Sequence, residues 1–300
     1  MENQKKNSKS HAIGVEKTYK LFIYVLLIAL AVSIIVPVAW VFLASIKQNS
    51  EFYGNPWTLP AGFYYQNFIL AFEKAKMGEY FLNSIITTAT ALLILLVVAL
   101  PAAYVLARCE FKGNRFFNTM FMAGLFINVN YIVVPIFLML VNGDTAAKNL
   151  FGTGIFLNNI FVLALIYAAT ALPFTIYLLA GYFKTLPKAY EEAAYVDGSG
   201  YFRTMVQIIM PMARPSIITV ILFNFLSFWN EYIIALTLMT NDSAKTLPVG
   251  VMNLMTAQNA AAQYGQMYAG LVIVMLPTLV LYIMVQKKLT QGMSMGGLKG

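Results

Sequence analysis

Residues 191–211 read EEAAYVDGSGYFRTMVQIIMP. Three acids, two glycines and several small residues sit together here, in a chain that is 60% hydrophobic. Long apolar runs lie on both sides. The local pattern predicts two short helices joined by a tight turn. Just upstream, Thr185-Leu186-Pro187 offers a capping residue and a proline suited to a first helical turn. Lys188 to Asp197 then carries good helix formers, Ala189, Glu191, Glu192, Ala193 and Ala194. Gly198 stops that helix, as glycine does just past a C-terminus, and Ser199 is placed to cap the next. The second helix runs through Tyr201, Phe202, Met205, Ile208 and Ile209 to Pro211.

The surroundings of this segment are read from composition. A mean hydropathy of +0.70 and only 11% charged residues do not suit a soluble globule, which carries about 25% charge. Six runs are long enough to cross a bilayer: near 21–46, 81–107, 116–141, 156–181, 212–239 and 267–286. Backbone groups in lipid must be satisfied within a segment, so the expectation is an all-α polytopic membrane protein with six transmembrane helices. Ala29-Leu30-Ala31 resembles a signal-peptidase site, but the apolar run continues to Ala44, which reads as an uncleaved anchor. The net charge of +8 forms no basic stripe on a soluble fold, so nucleic acid is not an expected partner. The cations sit at the ends of apolar runs instead. With the N-terminus inside, fifteen of the twenty lysines and arginines are cytoplasmic; the outside keeps Lys47, Lys74, Lys76, Lys148 and Lys245. Both termini then lie in the cytoplasm, and so does the 191–211 segment, between the fourth and fifth spans. The outer stretch 47–80 contains NPWTLPAGFYYQNF, whose aromatics favour the membrane interface.

Few residues carry obvious chemistry. The single cysteine, Cys109, excludes an internal disulfide, and the single histidine, His11, lies in the polar N-terminal stretch, so no Cys/His metal cluster exists. Pro37, Pro101, Pro135, Pro173 and Pro277 fall inside spans. They read as tolerated kinks, the other reading being hinges for helix motion. Glu231 is the one acid inside a span, where ionisable groups line a cavity or meet a partner. On a straight helix from Pro215 it would lie roughly 24 Å up, toward the outer side. With Trp229 and Asn230 it could contact a sugar or a partner subunit. Asn128 and Asn130, two apart, do not share a helix face and are weaker candidates. In the 191–211 segment, Ala193 and Ala194 allow close approach of another surface, Glu192 offers a charge and Gly198 fixes a bend. A solvated connector is the alternative that composition leaves open.

The spacing supplies more. Glu192-Ala193-Ala194, two residues, Asp197-Gly198-Ser199, eight residues, then Ile208-Ile209-Met210-Pro211 resembles the EAA loop of permease subunits of bacterial ABC importers. That pattern is EAA, two residues, a DGA-like triplet, eight residues, then I-x-L-P; serine for alanine and methionine for leucine are mild departures. Asn83-Ser84, Ala102-Ala103-Tyr104 with Arg108, Phe111-Lys112-Gly113, Trp229-Asn230-Glu231, Thr246-Leu247-Pro248-Val249-Gly250 and the end Gly-Gly-Leu-Lys-Gly resemble the carbohydrate subfamily. Over about residues 20–300 the chain is similar to the maltose-type second permease subunit.

The resemblance implies a type I ABC-importer permease fold. Spans and charge divide the chain into a cytoplasmic tail 1–20, which carries no family signal, a six-helix domain 21–286 and a cytoplasmic tail 287–300; the resemblance makes the domain a permease with a coupling loop at 185–211. It implies that Glu192, Ala193, Ala194, Asp197, Gly198, Ser199 and Pro211 belong to a joint that docks in a groove of a separate ATPase, Glu192 as the charged contact and Gly198 as hinge or turn. The implied partners are a second homologous permease forming a heterodimer, two ATPase subunits and an extracellular solute-binding protein toward which the 240–266 loop projects; the 287–300 tail would reach the ATPases. No cofactor is expected in this chain; ATP and Mg belong to the ATPase, since no G-x-x-x-x-G-K-[ST] sequence is present. The chain is accordingly expected not to be an enzyme, and to serve a sugar or oligosaccharide in a bacterial cytoplasmic membrane. Glycerol phosphate or another polar solute is the rival substrate class. An ion-coupled secondary transporter is the rival mechanism, though no internal repeat is visible.

Overall fold

The computed structural model describes the backbone of residues 2–74, 76–260 and 263–296, and side chains over 19–73, 76–256 and 263–286. Among the described residues the long elements are α1 (Glu2–Ser45), α2 (Gln66–Lys74), α3 (Met77–Arg108), α4 (Asn114–Gly124), α5 (Val129–Phe151) and α6 (Ile160–Thr185). There follow α7 (Ala189–Val196), α8 (Tyr201–Thr204), α9 (Met210–Met212), α10 (Arg214–Trp229), α11 (Ile233–Leu238), α12 (Leu247–Ala260) and α13 (Tyr264–Gly296). The chain is therefore all-α. The expected tail 1–20 is helical from Glu2 onward and continuous with the first span. The backbone of α13 carries on to Gly296; the last four residues and the side chains after Gln286 lie outside the described part.

Among the described residues, five helical segments are long and apolar enough to cross a membrane: Tyr19–Ser45, Met77–Arg108, Val129–Phe151, Ile160–Thr185 and Tyr264–Gln286. A sixth is reached only if Tyr201–Met212 and Arg214–Trp229, bent by 77° at their junction, count as one. Two expected spans differ. The run 116–141 is not one helix: α4 ends at Gly124, and Asn128 starts α5 by accepting the N–H of Asn130 at 3.0 Å. An asparagine that caps competes with helix continuation, and the crossing helix is shifted to Val129–Phe151. The run 212–239 is broken at Asn230–Tyr232, because the Glu231 carboxylate takes the N–H groups of Ile234 (2.7 Å) and Ala235 (3.0 Å) and opens α11 there.

The chain divides into two compact units. The first comprises Met1–Leu70 and Gln258–Val272. Its focus is Lys47, whose side chain is fully buried, donates to Pro56 O (2.8 Å) and Thr58 Oγ1 (3.3 Å), and lies over the rings of Trp40 and Phe52. Asn67 donates to Ser45 O and Lys47 O, and Phe52 stacks on Tyr268. Trp57, Leu59 and Phe63 are exposed, as suits a stretch at a membrane interface.

The second unit comprises Ala71–Ala257 and Ile273–Gly300. Its core is the pair α3 and α6. Ala91, Leu95, Ala99 and Ala103 recur every fourth residue along one side of α3 and are all fully buried. Leu163, Ala164, Ala168, Leu179 and Ala180 are among the buried residues of α6. Small side chains let membrane helices approach closely and gain dispersion contacts, which lipid tails cannot undercut. At Gly124 a Cβ would come within 2.8 Å of the Pro173 ring, so α4 meets α6 at a residue without a side chain. Toward the start of α3, Asn83 donates to Ser243 O and Lys245 O, and Ser84 Oγ accepts the Leu247 N–H at 2.8 Å. Two stretches read separately in the sequence, Asn83-Ser84 and Thr246–Gly250, thus meet in space.

Candidate functional site

The segment between α6 and α10 is a built object. Helix α7 ends in a tight turn: Gly198 N–H donates to Tyr195 O and Ser199 N–H to Ala194 O, with Gly198 at φ +78°. That is the Schellman arrangement, whose left-handed residue strongly favours glycine. Ser199 is not the cap expected of it. Gly200 holds that position, and the Ser199 hydroxyl receives the Thr204 hydroxyl at 3.2 Å instead. The second helix contains a π turn, Met205–Ile209, with Met210 N–H reaching back to Met205 O. Pro211, which cannot donate and crowds the carbonyl four residues back, accounts for the widened turn.

The inner side of this object is fastened to the end of α3. Glu191 is buried, accepts the Tyr104 hydroxyl at 2.8 Å and lies 3.6 Å from Arg108 Nε. Arg108 Nη2 donates to Leu186 O at 2.6 Å. The Tyr104 ring meets Phe183 and Tyr201, Tyr201 also touches Cys109, and Ala194 is buried. The outer side carries Glu192, Ala193, Asp197 and Gly198, all exposed, together with Val196 at 87% and Phe202 at 72% exposure. Of the residues expected to contact a partner, Glu192, Ala193, Asp197, Gly198 and Pro211 are accessible, and Ala194 is not. Glu191, which the sequence offers only as a helix former, is the buried anchor of the segment. Its signal was present: on a helix over 188–197, Glu191 and Ala194 are three apart and share the side opposite Glu192 and Val196.

A second feature lies between α5, α6, α10 and α11. A cavity of about 470 Å³ is lined by Asn130, Tyr167, Thr170, Asn224, Ser227 and Glu231 with Phe174, Phe223 and Phe228. Glu231 accepts the Tyr167 hydroxyl at 2.7 Å besides its two α11 amides. Asn224 donates to Thr175 Oγ1. Trp229 does not line this space. It is buried, stacked on Phe225, set edge-on to Phe81 and bonded to Val274 O at 3.2 Å. Asn230 is exposed and donates to Leu226 O. The three consecutive residues therefore separate, because the helix ends at Trp229. Asn130, ranked low in the sequence, does reach the cavity, since it sits at the start of α5 rather than inside a longer helix.

At the side of Asn83-Ser84, Lys245 holds the Asp242 carboxyl below its ordinary range, chiefly by hydrogen bonding. In the first unit, the N–H groups of Ala61 and Gln48 lower the Glu51 carboxyl in the same direction. Among the described residues no group of three or more His, Cys, Asp or Glu is placed to hold a metal ion.

Residues 99–293 match the family described as binding-protein-dependent transport system inner membrane component. The chain belongs to this family. Relatives include the diacetylchitobiose uptake system permease protein NgcG of Streptomyces coelicolor, 35% identical over 95% of this chain and 91% of its own length. The melibiose/raffinose/stachyose import permease protein MelC of Bacillus subtilis is 30% identical over 85% of this chain and 88% of its own. Among solved structures, a chain of a bacterial ABC transporter involved in the import of the acidic polysaccharide alginate superimposes with a TM-score of 0.75 at 22% identity, covering 90% of this chain and 96% of that one. This last likeness concerns the fold. The permease is a multi-pass membrane subunit of the carbohydrate and solute ABC-importer type, and its family is non-catalytic. Membership implies a partner ATPase and a solute-binding protein.

Proposed function

We propose that this permease forms half of the translocation pathway for a neutral sugar or oligosaccharide and is driven through residues 185–211 by a separate ATPase that binds ATP and Mg. The observation that carries the reading is the two-sidedness of that segment. Its inner side is locked to α3 and α6 through Glu191, Tyr104, Arg108 and Leu186, while Glu192, Val196, Asp197 and Phe202 stand outward. A rigid lever needs this division: motion imposed on the outer residues is passed to the spans and not absorbed by the loop. The cavity supports the solute class. Its lining offers amides, hydroxyls, one acid and phenyl rings, and no lysine or arginine. Rings stack on sugar faces and amides bond hydroxyls, whereas a phosphate would call for a cation. Glycerol phosphate is therefore the less suitable solute, and family membership leaves no place for an ion-coupled mechanism.

In the same reading the assembly is a heterodimer with a second homologous permease, two ATPase subunits and an extracellular binding protein, in a bacterial cytoplasmic membrane with both termini inside. Residues 1–20 form a tail, 21–286 the permease domain and 287–300 a tail toward the ATPase; the 240–266 loop is on the binding-protein side. Affinity purification from the native membrane tests this, with wild type beside Glu192→Lys. Wild type should bring a second permease and an ATPase, and the variant should lose most of the ATPase. A chain that purifies alone from membranes active in uptake refutes the proposal.

A further inference from the structure

At the junction of α3, α4 and α6 lies a cavity of about 510 Å³, of whose lining the transport reading uses only Arg108. Four cations converge on it: Arg108 and Arg115 from either side of α4's start, and Lys184 and Lys188 from the end of α6 and the turn that follows. Glu110 is the one acid in the lining. Arg108 is the last residue of one apolar helix and Lys184 the penultimate residue of another, so the cavity lies at the level where hydrocarbon gives way to headgroups. The Arg108 side chain is only 5% exposed and already paired with Glu191 and Leu186 O, so Arg115, Lys184 and Lys188 are the cations left to meet an anion. Helix α4 begins at the same place, and Gly113 before it supplies no side-chain cap. Arg115, Lys184 and Lys188 are exposed. Charges placed only to orient the spans have no reason to converge on one cavity.

Next to the cations, α4 presents apolar side chains. Phe116 is 66% exposed, and Met120 and Phe117 are also exposed. A soluble anion would have no use for these; a lipid acyl chain would lie against them. We propose that this cavity binds the headgroup phosphate of an anionic phospholipid of the cytoplasmic leaflet, with its chains along α4. The proposal rests on the membrane-spanning reading of α3 and α6 and on the side assigned above. Each cation beside an anionic headgroup strengthens association by roughly fivefold, so loss of three should weaken binding about a hundredfold.

The test is native mass spectrometry of the full, delipidated permease complex titrated with phosphatidylglycerol or phosphatidylcholine. Wild type should retain phosphatidylglycerol selectively. The triple variant Arg115→Gln/Lys184→Gln/Lys188→Gln should lose that selectivity, and Lys112→Gln, which does not line the cavity, should keep it. If the triple variant does not fold, the pair Lys184→Gln/Lys188→Gln is used with an expected loss of about 25-fold. Equal retention by wild type and variant overturns the site. Displacement of the lipid by millimolar inorganic phosphate overturns the lipid assignment in favour of a soluble anion. The readout needs neither transport nor ATP hydrolysis, so its failure is distinct from failure of the lever reading.

Discussion

Replacing Glu191 by glutamine should loosen the lever while leaving its outer surface intact. In the folded chain the Glu191 and Arg108 side chains are 9% and 5% exposed and lie 3.6 Å apart. Removing one charge of a buried pair costs about 3–5 kcal/mol, because the other is left without compensation. The lower end applies here, since Arg108 keeps its bond to Leu186 O and the new amide can still accept from Tyr104. About 3 kcal/mol corresponds to roughly a hundredfold change in an opening equilibrium. Amide hydrogen exchange over 189–204 reads that equilibrium directly, and proteoliposomes containing the whole transporter give uptake per ATP hydrolysed. The variant should show exchange protection reduced about a hundredfold in α7, with ATPase still bound and uptake per ATP lowered. Glu192→Gln is the counterpart: protection unchanged, ATPase binding weakened. If Glu191→Gln keeps wild-type protection and coupling, the inner fastening is not what transmits motion, and the argument from two-sidedness fails.

Other outcomes follow from single residues. Gly198→Val should cost at least 1–2 kcal/mol, because φ is +78° although no atom lies within 4 Å of the added Cβ; uptake per ATP should fall, and Gly198→Asn, which tolerates that conformation, should retain most of it. Gly250→Ala would drive a methyl into the Tyr80 ring and should cost about 1–3 kcal/mol, seen as a lower Tm in detergent. Gly181→Ala, with open space at its Cβ, should show no loss. The lowered Glu51 carboxyl stabilises the 48–61 turn fully above the ordinary carboxylate value of about 4.3. That contribution is lost as pH falls through the depressed folded value. Protease resistance of this turn should therefore decline below about pH 4 in wild type, and the decline should be absent in Glu51→Gln.

The helical class, the membrane setting and the paired helices around Gly198 were legible in the order of residues, because each depends on neighbours in sequence: apolar runs of sufficient length, a proline at a start, a glycine at a stop. The exposed status of Glu192 and Val196 also follows from helical spacing. What lay beyond the sequence was every choice made by a distant partner. One further choice was local but invisible to hydropathy: Asn128 and Glu231 begin new helices by capping amides two to four residues on, which splits two apolar runs. Trp229, Asn230 and Glu231 are consecutive, yet one is buried against Phe225, one is exposed and one lines a cavity with Tyr167. Glu191 acquires its role only when α3 brings Tyr104 and Arg108 to it, across more than eighty residues. Periodicity reports which side of a helix is different. Which hydrogen bonds a buried acid will make is decided by the packing of other helices, since only there are its donors held in reach and water excluded.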